Sequence, residues 1–148
     1  MQNFQELEDI LGFHFQSPQI LQQAFFHKSF INEKNKLSVT SNERLEFLGD
    51  AVLELAATKF LYDKFPDLPE GELTTLRSSL VRGRNLAVVA QNLNLGRYLF
   101  LSKGEEVSGG RTKSYILANT TEALIGAIYL DQGYDLAEQF IHTHILIN

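Results

Sequence analysis

Asn42-Glu-Arg-Leu-Glu-Phe-Leu-Gly-Asp-Ala-Val-Leu-Glu54 is the stretch on which the reading of this chain turns. Wound as a helix at roughly 100° per residue, it gathers Glu43, Glu46, Asp50 and Glu54 within one arc of about 80°. Leu45, Leu48, Val52 and Leu55 fall on the opposite side, as an amphipathic core-facing helix requires. Acids one and two turns apart repel by about 0.2–0.5 kcal/mol per pair, so helix stability gives no reason for them. Two uses are open: a solvated acidic face, or carboxylates that share a hard cation. A second acidic pair elsewhere in the chain would separate the two.

Outward from this stretch the pattern stays helical. Ser41 or Asn42 is placed to cap the helix, which the spacing carries to about Phe65, where Pro66 and Pro69 end it. Upstream, residues 3–11 form an amphipathic helix, and Ser17-Pro18 opens another running to about Phe26. Residues 31–40 are polar and aperiodic and read as a loop. Downstream, Glu70-Gly71-Glu72 starts a helical stretch that breaks near Arg82-Gly83-Arg84 and resumes to Asn94 before Gly96. Residues 97–112 read as a loop, residues 114–130 as a helix, and residues 135–147 as the last one. Nothing alternates at period two for long enough to demand a sheet. An all-α domain of about seven helices is expected.

The chain has 148 residues, which suits one domain with a sizeable core. It lacks cysteine, which removes disulfides, thiolate zinc sites and a cysteine nucleophile from consideration. No apolar run approaches the length of a membrane span, and the acidic beginning is wrong for a signal peptide, so no membrane role and a cytoplasmic location are expected. The net charge of −5 argues at first against a nucleic-acid partner. Its distribution changes that: residues 71–118 carry seven Lys/Arg against three Asp/Glu, and the remainder is strongly acidic. One part of such a chain could collect metal and the other could hold phosphate.

The second acidic element lies in the helix around Ile116–Leu130, where Asn119, Glu122 and Gly126 share a face. Gly126 and Gly49 leave room for close backbone approach. If the two helices pack side by side, Glu46, Asp50, Asn119 and Glu122 could converge on one oxygen-lined site. Carboxylates and an amide oxygen suit Mg²⁺ or Mn²⁺, and no thiolate or paired-histidine motif favours zinc. A cation held there would activate water and stabilise a phosphoryl oxygen.

These residues carry a family resemblance. Asn42–Leu53 resembles the signature of the ribonuclease III endonuclease domain. His27-Lys-Ser29, Glu70-Gly-Glu-Leu-Thr74, Leu80-Val-Arg-Gly-Arg-Asn-Leu-Ala87, Leu95-Gly96, Gly109-Gly110 and Ile116–Gly126 follow the same pattern in order. The resemblance covers nearly the whole chain as one domain, residues 1–148. It implies an all-helical homodimer that cuts double-stranded RNA with divalent metal, Mg²⁺ or Mn²⁺, leaving 5′-phosphate and 3′-hydroxyl ends with short 3′ overhangs. It implies that Glu46, Asp50, Asn119 and Glu122 form the catalytic metal site, with Glu43 and Glu70 as supporting acids. Phe47, beside the acidic arc, is expected to insert into the partner subunit. His27 with Ser29 is expected to stabilise a helix junction. Arg82, Arg84, Lys103, Arg111 and Lys113 are candidate phosphate contacts.

Two departures qualify the resemblance. Asn119 stands where the family pattern normally has Asp, so the site holds three acids and a neutral amide, and weaker metal binding is expected. Three readings stay open: a natural variant that still cuts, an engineered substitution that blocks cleavage, or a naturally impaired module that dimerises and binds RNA without cutting. The double-stranded-RNA-binding domain that commonly follows in the family is absent after Asn148, and the abrupt apolar ending reads as a truncation.

Overall fold

A computed structural model describes residues 3–34 and 38–147. The described residues form α1 (Gln5–Leu11), α2 (Pro18–Gln23), α3 (Lys28–Lys34), α4 (Glu43–Lys64), α5 (Glu70–Val81), α6 (Gly83–Asn92), α7 (Lys103–Val107), α8 (Ser114–Gln132) and α9 (Tyr134–Ile141). 3-10 turns cover Leu95–Tyr98 and Gly110–Thr112, and a π-helical turn over His142–Leu146 extends α9. The all-α architecture expected from the sequence is the one found, and β-structure among the described residues amounts to an isolated bridge between Phe26 and Phe100. No described helix is long and apolar enough to cross a membrane.

Helix α8 is the axis of the fold. Ile116, Leu117, Leu124, Ile125 and Ile128 are buried on several sides of it, because α4 packs on one flank and α6 on another. Its two buried polar side chains are satisfied within the helix layer: Thr120 Oγ1 donates to the Ile116 carbonyl, and Thr121 Oγ1 bonds the carbonyls of Leu86 and Leu117.

The α4–α8 crossing is closer than side chains would permit. A Cβ on Gly49 would overlap the Glu122 carbonyl oxygen and stand 2.9 Å from the Gly126 nitrogen. A Cβ on Gly126 would overlap the Leu45 carbonyl. Pairing Leu45 with Gly126 and Gly49 with Glu122 makes the two helices antiparallel, backbone against backbone.

Several local expectations are corrected. Helix α3 occupies part of the segment read as a loop over 31–40; residues 35–37 of that segment lie outside the described residues. It is stabilised by tertiary contacts that a polar, aperiodic sequence does not announce: Ser29 Oγ accepts the Ser102 N–H, and Glu33 accepts the Lys103 N–H at 2.9 Å. The same contacts order α7, inside the segment read as a loop over 97–112, where the Ser102 hydroxyl caps the helix by accepting the Glu105 N–H.

Ser17 and Asn42 stand at cap positions without capping through their side chains. The Asp131 carboxylate, from the end of α8, instead accepts the Gln16 and Ser17 N–H groups at 2.8 and 2.9 Å. Asn42 is buried, and its amide donates to the Ala24 carbonyl at 2.9 Å. Leu55, expected on the core face of α4, is 57% exposed. The true core face runs through Leu45, Gly49, Val52, Leu53, Ala56 and Ala57, because the close crossing favours small residues there.

Candidate metal centre and its flanking cleft

The Gly49–Gly126 crossing decides where the acids go. Glu46 and Asp50 flank Gly49 on α4, and Glu122 supplies the carbonyl that Gly49 rests on, so these three carboxylates share one side of the helix pair. Glu122 is half-buried, and its carboxyl is pushed up to about 8 by burial, by a side-chain hydrogen bond with Asp50, and by the negative charges of Asp50, Glu46 and Glu54. Without a cation, Glu122 therefore keeps its proton near neutrality and donates it to Asp50. Glu46 is also raised, first by burial and then by Glu43 and Asp50.

Glu46 extends this cluster into a cleft of about 170 Å³ lined by His27, Lys28, Glu43, Glu46, Tyr115 and Asn119, among others. Five of the expected site positions are thus close enough to act on one another or on one cavity: Glu46 links Asp50 and Glu122 on one side with Asn119 and Glu43 on the other. Glu54, the last acid of the arc, is turned to Arg77 of α5 in an ion pair of 2.9 Å. Glu70 stands exposed at the start of α5 and is not among the residues lining the cleft.

Among the described residues, no three His, Cys, Asp or Glu are already gathered as a metal-holding group. The donor set nonetheless fits a hard divalent cation. It consists of oxygens, it is partly desolvated, and its carboxylates repel one another strongly enough to retain a proton that a cation would displace. Asn119, which lines the same cleft, would offer a carbonyl oxygen without charge.

The basic candidates divide into two groups. Arg111 donates to the carbonyls of Gly96 and Leu99 at 3.0 and 2.8 Å and pairs with Glu106. Lys113 pairs with Glu105 and contacts the Ser108 hydroxyl. Both are engaged in holding the 95–113 segment together. Arg82, Arg84 and Lys103 are exposed, the first two at the break between α5 and α6.

His27 has the junction role expected of it. Its Nδ1 lies 2.8 Å from the Ser29 hydroxyl and accepts the Ser29 N–H at 3.2 Å, and burial pushes its pKa down. Residues that the sequence reading passed over complete the site. Asn42 ties α4 to the α2–α3 junction through Ala24, while its own N–H donates to the Phe26 carbonyl at 2.8 Å. This brings Lys28 to the cleft. The signal available in sequence was the adjacency of Lys28 to His27 in His27-Lys-Ser29, which by itself says nothing of the acids in the same cleft.

A family model described as Ribonuclease-III-like matches residues 17–148. Ribonuclease 3 of Bacillus velezensis is 46% identical over 145 residues, covering 98% of this chain and 58% of that protein. Ribonuclease 3 of Enterococcus faecalis is 49% identical over 140 residues, covering 95% of this chain and 61% of that protein. The chain thus spans about three-fifths of the length of these curated relatives. Among solved structures, the nuclease domain of ribonuclease III from Campylobacter jejuni matches 98% of this chain and 100% of its own, with a TM-score of 0.88 at 41% identity. That structure is described for flexibility in a region involved in dimer formation. Dicer from Pichia stipitis matches 88% of this chain and 54% of its own, with a TM-score of 0.63 at 28% identity.

Proposed function

The chain belongs to the ribonuclease-III-like family, and on that premise we propose that it is a divalent-metal-dependent endoribonuclease domain acting on double-stranded RNA. The observation that carries this reading is the backbone-to-backbone crossing at Gly49 and Gly126, which brings Glu46, Asp50 and Glu122 into mutual electrostatic contact beside Asn119. Glu46, Asp50 and Glu122 would hold the cation through charged oxygens, with the Asn119 carbonyl as a neutral fourth ligand. Mg²⁺ or Mn²⁺, when bound, would polarise a phosphoryl oxygen and render water nucleophilic near neutral pH. Glu122 must release its proton for its carboxylate to serve. Arg82, Arg84 and Lys103 would track the RNA backbone, reading A-form shape rather than sequence. The products would be 5′-phosphate and 3′-hydroxyl ends with short 3′ overhangs.

We infer further that the working unit is a homodimer formed through α4. Phe47 is 81% exposed and Tyr62 72% exposed, and with Leu55 they leave an apolar stripe on this helix uncovered in the single protomer. An aromatic anchor seated in a partner is worth about 2 kcal/mol or more. Phe47→Ala should therefore weaken the dimer roughly thirtyfold in sedimentation equilibrium. An unchanged dimer constant would place the interface elsewhere.

Cleavage of long duplex RNA at low salt, titrated with Mg²⁺ and then Mn²⁺, tests the nuclease reading directly. Short duplex products with 3′ overhangs are expected. Asn119→Asp adds a fourth charged ligand and should lower the Mg²⁺ concentration for half-maximal cleavage on the order of tenfold, since hard-cation affinity follows ligand charge. Intact RNA at every metal concentration from a folded dimer, with cutting restored by Asn119→Asp, would make the natural chain an impaired module instead.

A further inference from the structure

We propose that Lys28 is a phosphate-positioning residue, its ammonium taking a non-bridging oxygen of the duplex RNA backbone at the mouth of the cleft that Glu46 and Asn119 line. The inference deepens the nuclease reading above and rests on it.

The cleft is lined by charges of both signs. Its acidic lining, Glu43 and Glu46, comes from α4, and its cationic lining, Lys28 beside His27, comes from the start of α3, with Tyr115 and Asn119 of α8 completing it. A polyanion approaching Glu43, Glu46 and Asp50 meets repulsion, which a side-chain cation in the same cleft lining offsets. His27 does not supply that charge, because burial favours its neutral form. Lys28 does: it is exposed and closes no salt bridge among the described residues.

The base of the side chain is well positioned. Lys28 opens α3, and the preceding residues are held by the Asn42 bonds to the Ala24 and Phe26 carbonyls. The Phe100 carbonyl accepts the His27 N–H, and the Ser29 hydroxyl accepts from Ser102 on the far side. A flexible four-carbon stem on a fixed backbone suits a point-charge contact to phosphate. By contrast Arg111 and Lys113 are spent on Glu106 and Glu105.

The test compares the natural protein with Lys28→Gln and Lys28→Arg in duplex RNA binding, measured in EDTA so that no cleavage intervenes, across about 50–200 mM potassium chloride. Removing one lysine–phosphate interaction should flatten the slope of log affinity against log salt by about one. Lys28→Gln is expected to show that flattening once per engaged subunit, with thermal stability unchanged, and Lys28→Arg to restore the natural slope. A slope equal to the natural one in Lys28→Gln overturns the assignment and leaves the nuclease reading standing. A natural protein that binds no duplex RNA at any salt overturns this inference, while cleavage of duplex RNA by the same protein in Mg²⁺ would leave the nuclease reading standing. Lower stability in Lys28→Gln with an unaltered slope would show that the lysine only offsets the neighbouring acids, which also overturns it.

Discussion

Glu122→Gln should remove duplex RNA cleavage while leaving the fold intact. In the metal-free protein Glu122 already carries a proton near neutrality and donates it to Asp50. A glutamine amide has the same outline and can donate the same hydrogen bond, so the buried contact survives. What it lacks is the negative charge that a divalent cation would draw out of the carboxyl. Losing one charged ligand from a set of three forfeits about 4 kcal/mol of transition-state stabilisation, or roughly a thousandfold in rate. Cleavage of long duplex RNA, with circular dichroism as the control for folding, reads both halves of the expectation. Natural activity in this variant would sink the metal assignment.

The same substitution has a signature that needs no RNA. A carboxyl whose pKa rises from 4.5 unfolded to about 8 folded makes the folded state the better proton binder across that interval. The stability of the metal-free protein should therefore fall as pH rises from about 4.5 to about 8, and change no further from this source above it. Glu46, raised by burial and by Glu43 and Asp50, adds to the same trend. Glu122→Gln removes the titrating group, so its unfolding midpoint in EDTA should decline less between pH 5 and pH 8. Equal declines in the two proteins would mean that Glu122 is ionised throughout and that the acids do not converge.

Gly49→Ala should produce the largest loss of stability available to a single methyl group in this chain. The added carbon has no rotamer to escape into, and it meets the carbonyl oxygen of Glu122 and the nitrogen of Gly126, both backbone atoms of the central helix. Relief requires α4 and α8 to separate, which opens the packing around Leu45, Val52, Leu124 and Ile128. A cost of at least about 3 kcal/mol is expected, or roughly 10 °C in the unfolding midpoint. Gly71→Ala is the matched control: nothing lies within 4 Å of its added carbon, and alanine is the better helix former there, so it should be neutral or slightly stabilising. A Gly49→Ala protein as stable as Gly71→Ala would show that the helices do not cross as described.

Much of this was legible in sequence because helical spacing is a local property. The acidic arc from Glu43 to Asp50, the end of α4 before Pro66, the break at Arg82-Gly83 and the face shared by Asn119 and Glu122 all follow from residues within a few turns of one another. Which flank of a helix a neighbour occupies is not local. Leu55 continues a leucine stripe in the sequence, yet the stripe's edge is exposed because the crossing point lies at Gly49, and small residues carry no weight in a hydrophobic pattern.

Residue type and spacing suffice for the all-α class, for the family, and for the oxygen-donor character of Glu46, Asp50, Asn119 and Glu122. The tertiary structure alone decided that Glu54 turns to Arg77, that Asn42 anchors α4 instead of capping it, that α3 and α7 form at all, and that Lys28 shares a cleft with the acids. Those outcomes belong to partners far apart in the chain, where charge, hydrogen bonding and desolvation act through space and leave no periodic trace along it.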